Sequence, residues 1–170
     1  PILSFTADEL WQQIPGDRNG SVFVAEWFEL PRLPEQAAMG ADFWNLIADV
    51  KTSVNKVIEE QRNEGVIGGS LEAEITLCCG ADLAEKLSSL ENELRFILIA
   101  SSATVSTDAQ ANAVATDVDG LSVVVNKASG DKCVRCWHHR DDVGSIAEHE
   151  ELCGRCVDNV SGDGEVRHFA

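Results

Sequence analysis

Basic residues are scarce in this sequence: 13 Lys and Arg stand against 29 Asp and Glu over 170 residues, a formal charge of −16. Nucleic-acid affinity leans on neutralising phosphates with Lys and Arg, so this balance excludes indiscriminate polyanion binding. Long apolar runs are missing too, and no targeting segment opens the chain. These absences predict a protein that neither spans a membrane nor matures in an oxidising compartment, and they point to the cytoplasm. An initiator methionine is also missing: Pro1 leads straight into Ile2-Leu3-Ser4-Phe5, and the expectation is a piece of something longer. Enough apolar material is nevertheless present, at 44% of residues, for one sizeable core with a small second module beside it.

That second module is the most informative stretch. From Lys132 to Cys156 the chain reads KCVRCWHHRDDVGSIAEHEELCGRC, in which Cys133 and Cys136 form one Cys-x2-Cys hook and Cys153 and Cys156 a second after a sixteen-residue spacer. Two such hooks meeting face to face supply four thiolates at about 2.3 Å around a tetrahedral zinc ion. Protein then fills every coordination position, so the expected zinc, one per chain, is structural and not catalytic. A disulfide framework would need an oxidising compartment, and a thioredoxin-like pair would need one hook opening a helix after a strand. His138, His139 and His149 could each replace a thiolate, but four cysteines complete the shell, and these histidines are expected as exposed polar side chains. Cys78 and Cys79 lie far from the hooks and are expected as buried or half-buried thiols.

Charge is unevenly distributed. Residues 1 to 126 hold 7 basic and 20 acidic side chains, whereas residues 127 to 170 hold 6 and 9. Lys132, Arg135, Arg140 and Arg155 cluster around the hooks, where they could offset the net −2 of a four-thiolate zinc site or meet phosphates. Trp137, directly after Cys136, could pack over the hooks or stack on an unpaired base, and packing is the favoured expectation because small zinc modules have few core residues.

Along the rest of the chain, Thr6-Ala7-Asp8-Glu9 has the form of a capping box and predicts a short helix stopping before Pro15. Residues 21–28, SVFVAEWF, could be an extended segment before the Pro31 and Pro34 breaks. Residues 35–63 predict the clearest helix, with Phe43, Ile47, Val50, Val54, Val57, Ile58 and Gln61 on one face and Gly65 as its stop. A strand over 71–79, a helix over 81–91, helix to Leu98, a strand near 103–105, a loop over 106–119 and a strand over 121–127 follow. Residues 165–169 are expected to return as a last strand. The fold class is therefore α+β, a small α/β layer with a zinc-ribbon-like module appended.

KCVRCWHH, the spacer ending in EELCGRC, and the tail NVSGDGEVRHFA together resemble the C-terminal end of bacterial-type isoleucyl-tRNA synthetase. PILSFTADELW is similar to a segment of the anticodon-binding helical bundle of the class I synthetases for branched aliphatic amino acids, and VNKVIEEQRNEGVIGGSLEAEITL to the helix, turn and strand after it. The resemblance implies three domains: the end of the anticodon-binding bundle (1–64), a small α/β junction domain (65–128) and a zinc-binding module (129–170). It implies an ATP-dependent ligase charging tRNA with isoleucine, of which these residues form a monomeric part without an active site. The family's His-Ile-Gly-His and Lys-Met-Ser-Lys-Ser signatures are absent, so ATP would act only through a missing catalytic domain. The zinc ligands carry over onto Cys133, Cys136, Cys153 and Cys156. The expected partners are isoleucine-specific tRNA and the remaining synthetase domains, with Lys132, Arg135, Trp137, His138, Arg140, Arg155 and Arg167 as candidate RNA contacts. Two alternatives stay open: a zinc plug that only pins the C-terminal segment, and a DNA-repair-type zinc finger.

Overall fold

The computed structural model describes residues 2–16, 20–31 and 39–170. Pro1–Ala37 and Ala38–Ala170 form separate compact units. In the first, α1 (Ser4–Gln13) begins one residue after Leu3 and has no side-chain cap. The capping box expected at Thr6 is therefore not formed. Asp8, its third residue, turns instead to the next segment and accepts from Ser21 Oγ and from Val22 N at 3.0 Å. The extended segment expected over 21–28 is also corrected: Val22–Val24 is a single 3-10 turn, which Ser21 caps by accepting from Phe23 N. Pro34 and the expected helix start at Glu35 lie outside the described residues.

In the second unit, α2 (Ala41–Asn63) follows its apolar stripe. Ile47, Val50, Val54, Val57 and Ile58 are buried, at three- and four-residue steps that keep one face toward the core. Gly65 ends the helix with φ +76°, a left-handed conformation that costs glycine little. Its N–H reaches Arg62 O at 3.1 Å and the Val66 N–H reaches Gln61 O at 3.0 Å, so the last carbonyls are satisfied.

A mixed sheet forms the centre of the unit. β1 (Ala73–Cys79) pairs in parallel with β2 (Ser102–Ser106) and antiparallel with β4 (Leu121–Lys127), and β3 (Val114–Ala115) edges β4. A parallel pair needs a crossover. Here α3 (Ala81–Ser88) and α4 (Leu94–Leu98) supply it. Ala73, Ile75 and Leu77 from β1 and Val123 and Val125 from β4 join the α2 stripe with Leu87, Leu90, Leu94 and Leu98 in one hydrophobic cluster. The expected loop over 106–119 gains a short strand, because Val114 and Ala115 find register against Val123 and Ser122.

The last 40 residues depend less on apolar packing. A two-stranded ribbon pairs β5 (Asp131–Lys132) with β6 (His139–Arg140), and α5 (Gly154–Ser161) follows the second hook. The buried Ser101 ties this ribbon to the sheet: its N–H donates to Ala73 O at 3.0 Å, and its hydroxyl donates to Leu71 O and accepts from His139 N at 2.7 Å. Residues 165–169 form no strand. Their backbone amides find a carboxylate, because Glu93 accepts from His168 N, Phe169 N and Ala170 N at 2.6, 2.6 and 2.7 Å. No helix among the described residues is long and apolar enough to cross a membrane.

Candidate metal centre

The first hook is a reversal between β5 and β6. The Cys133 N–H donates to His138 O at 3.0 Å and the Trp137 N–H returns to Cys133 O at 2.9 Å. The second hook opens α5, whose first amide, Gly154 N, donates to Asp142 Oδ2 at 3.0 Å. The backbones are also linked directly, Val134 N reaching Glu151 O at 3.2 Å. Both hooks are thus fixed by hydrogen bonds that do not involve the sulfurs.

This frame brings the Sγ atoms of Cys133, Cys136, Cys153 and Cys156 within 4.8 Å of one another, with Cys133, Cys153 and Cys156 buried. Cys136 Sγ lies 3.8 Å from Cys153 Sγ. A tetrahedron with metal–sulfur bonds of about 2.3 Å has edges of about 3.8 Å, so this spacing suits such an ion. The sulfurs also receive donors: Cys153 N approaches Cys133 Sγ at 3.4 Å and Arg135 Nη1 approaches Cys156 Sγ at 3.6 Å.

Protonation follows from the same geometry. Burial opposes charge on Cys133, but backbone N–H groups of Cys136, Cys153 and Arg135 outweigh it and bring its thiol down to about 6. Burial pushes Cys153 up to about 12, with neighbouring sulfurs adding to the rise. Cys136 is raised, first by burial. Four crowded sulfurs cannot all ionise without a cation among them. A soft divalent ion would be held by these four residues and would supply that charge. The residues fit a closed, four-sulfur metal site.

The candidate RNA-contacting residues separate into two groups. Lys132 Nζ sits 4.9 Å from the Trp137 ring centroid, and the Trp137 indole N–H donates to its own hook at Val134 O, 3.1 Å away. Trp137 does not pack over the hooks as expected. It is 59% exposed and holds φ +66°, a left-handed conformation that is rare for a bulky residue. Arg135 is exposed beside Cys156.

The second group surrounds His138, which is 8% exposed and not the solvated side chain expected. Its ring meets Phe96 edge to face at 5.9 Å. Burial and then the charges of Arg95, Arg155, Arg140 and Arg167 push its imidazole down to about 4, so it is neutral at pH 7. His139 and His149 are half-buried, with Nδ1 of His139 2.9 Å from Gly130 O and Nε2 of His149 3.3 Å from Ser161 Oγ. Arg140 pairs with Asp142 at 3.7 Å. Arg155 makes a two-pronged bond to Glu165 at 2.6 and 2.7 Å, and Arg167 reaches the same carboxylate at 2.9 Å.

Sequence reasoning missed Arg95, Phe96, Glu93 and Asp142. The first three lie in the crossover between β1 and β2, far from the hooks in sequence, where nothing in local spacing marks them. Asp142 carried a signal, being an acid in the spacer ahead of a hook that opens a helix.

Residues 1–77 match a family model described as the anticodon-binding domain of tRNA ligase, and residues 130–159 match one described as a zinc finger found in FPG and IleRS. Over its whole length the chain is similar to isoleucine–tRNA ligases of Saccharophagus degradans (56% identity, 18% of the relative's length), Teredinibacter turnerae (57%, 18%) and Klebsiella pneumoniae (53%, 19%). The chain thus spans about a fifth of the length of these relatives.

Proposed function

We propose that this chain, which its matches mark as a region of an isoleucine–tRNA ligase, is the C-terminal tRNA-recognition part of that enzyme and is held in shape by a structural zinc ion. In this reading residues 1–64 end the anticodon-binding bundle, 65–128 form the junction and 129–170 the zinc module. The parent enzyme uses ATP to join isoleucine to its tRNA in the cytoplasm as a monomer, and this region contributes no reacting group. Cys133, Cys136, Cys153 and Cys156 hold the ion, and their sulfur-only donor set favours zinc over hard cations.

The observation that carries the RNA reading is Trp137. An indole in a rare backbone conformation immediately after a hook, tethered to it by the N–H bond to Val134 O, keeps more than half of its surface open to solvent. Unpaired bases of a tRNA loop stack on such rings. Lys132 and Arg135 beside it add charge for the neighbouring phosphates. The test is Trp137→Ala, compared with wild type for metal content and for binding of isoleucine tRNA. Retained metal with binding weakened roughly 5- to 150-fold is expected, from about 1–3 kcal/mol per stacked base. Unchanged binding would reject the role of Trp137.

A second reading, a zinc plug with no RNA contact, is favoured by a specific observation: Arg155 and Arg167 are already engaged by Glu165 and Arg135 by Cys156. A salt titration separates the two. Phosphate contacts give tRNA affinity a steep salt dependence that a plug does not contribute.

A further inference from the structure

Arg95, at the start of α4, is the exception in an acidic chain. Its guanidinium has no carboxylate partner and no hydrogen bond among the described residues, although acids outnumber bases by 29 to 13. Its surroundings are cationic. Arg95, Arg155 and Arg167 all lie against the Phe96 ring, at 4.3, 4.7 and 4.0 Å from its centroid. A ring has two faces, so at least two of the three guanidiniums share one. Glu165 neutralises the approach of Arg155 and Arg167 by bonding both, and Asp142 pairs with Arg140. The charge of Glu165 also reaches Arg95, but among the described residues no carboxylate ion-pairs with it or accepts a hydrogen bond from it.

Arg95 is also firmly held. α4 ends at Ile99 with φ +55°, strained for a β-branched residue, and there Ala100 N bonds Arg95 O at 2.9 Å while Ile99 N bonds Phe96 O at 3.1 Å. Phe96 is braced in turn by the buried His138 ring, which it meets at nearly a right angle. Burial lowers the Arg95 pKa first, and repulsion from Arg140 and Arg155 adds to it. Folding therefore fixes a half-buried guanidinium without an ion pair on an aromatic ring shared by three arginines and one bonded carboxylate, where an incoming anion would relieve the remaining repulsion.

We propose that Arg95, on the crossover helix and not in the metal module, binds one phosphodiester of the RNA backbone. The inference rests on the RNA reading above and extends it by a residue that the hooks do not contain. The rival role is charge compensation, since Cys136 lies close enough to favour the charged form of Arg95.

The experiment uses the complete chain with metal bound. Affinity for isoleucine tRNA is measured against salt concentration for wild type, Arg95→Gln and Arg95→Lys, with metal content determined on each sample. Arg95→Gln should weaken binding about tenfold and lower the slope of log K against log salt by about 0.7 to 0.9, the share of one phosphate. Arg95→Lys should keep the slope and lose only part of the affinity, and metal content should not change. Wild-type binding with an unaltered slope in Arg95→Gln would overturn this inference alone, as would loss of metal in that variant with the slope preserved. Failure of the wild-type chain to bind tRNA would overturn the RNA reading itself and this subsite with it.

Discussion

Trp137 occupies a backbone conformation better suited to glycine, and Gly at this position would remove the strain. The ring contributes little burial to offset the loss. Trp137→Gly should therefore leave stability unchanged or raise it by up to about 1 kcal/mol, read as a urea midpoint at constant metal occupancy, while tRNA binding falls. A stability loss above that size would mean that the indole packs as core. Cys153 is the opposite case, buried within the four-cysteine cluster proposed to hold the metal. Cys153→Ser should abolish stoichiometric metal binding and expose residues 131–161 to protease, because in small modules metal-binding energy is folding energy. The convergence of the four cysteines was legible from spacing alone, whereas the exposure of Trp137 and the burial of His138 were not. The burial of His138 depends on Phe96, 42 residues earlier in the chain, and the exposure of Trp137 on the turn geometry of its hook.

At the scale of elements, β1, α3 and β4 were legible from their apolar patterning, whereas the short apolar run that holds α4 suits helix or strand equally and its helix was only the favoured choice. The tail was not legible, because a carboxylate from the crossover takes the place of a partner strand. Gly130 marks another element-scale constraint: a Cβ there would collide with the Arg140 backbone in the β5–β6 ribbon. Gly130→Ala should destabilise the module by about 1–3 kcal/mol, the usual cost of overpacking, with thermal unfolding as the check.

The Arg155–Glu165–Arg167 cluster gives the tail a pH signature. Hydrogen bonds from Arg155 lead the effects that hold the Glu165 carboxyl at about 2 against an ordinary 4.5. Its folded pKa lies below its unfolded one, so the unfolded chain binds more protons between those values. The stabilisation is complete above pH 4.5 and is lost as pH falls toward 2. With solvent screening it is worth about 1–2 kcal/mol. The stability difference between wild type and Glu165→Gln should shrink across that window, and taking the difference at each pH cancels metal release. A difference independent of pH would reject the clamp.

Across the second unit, two kinds of cohesion meet. The sheet and α2 bury a hydrophobic cluster, whereas the last 40 residues gather around four sulfurs and are tied to the rest by the Ser101 link and the Glu93 carboxylate. The metal unit has little apolar core of its own: among the described residues, Val143 and Leu152, both partly buried, are the non-cysteine hydrophobics packed against the cysteines. The whole-molecule division of labour was legible from the cysteine spacing and the resemblance it supported. The way the tail and crossover return to the metal unit was not, since those contacts join polar residues with no periodic signature.

The most direct measurement is tRNA binding by the metal-loaded chain and by the same sample after chelation, with metal content determined for each. The account predicts one zinc per loaded chain, salt-dependent binding of isoleucine tRNA, and loss of that binding together with loss of protease resistance over residues 131–161 once zinc is removed. Equal binding with and without metal would contradict the claim that the four cysteines shape the RNA-binding surface.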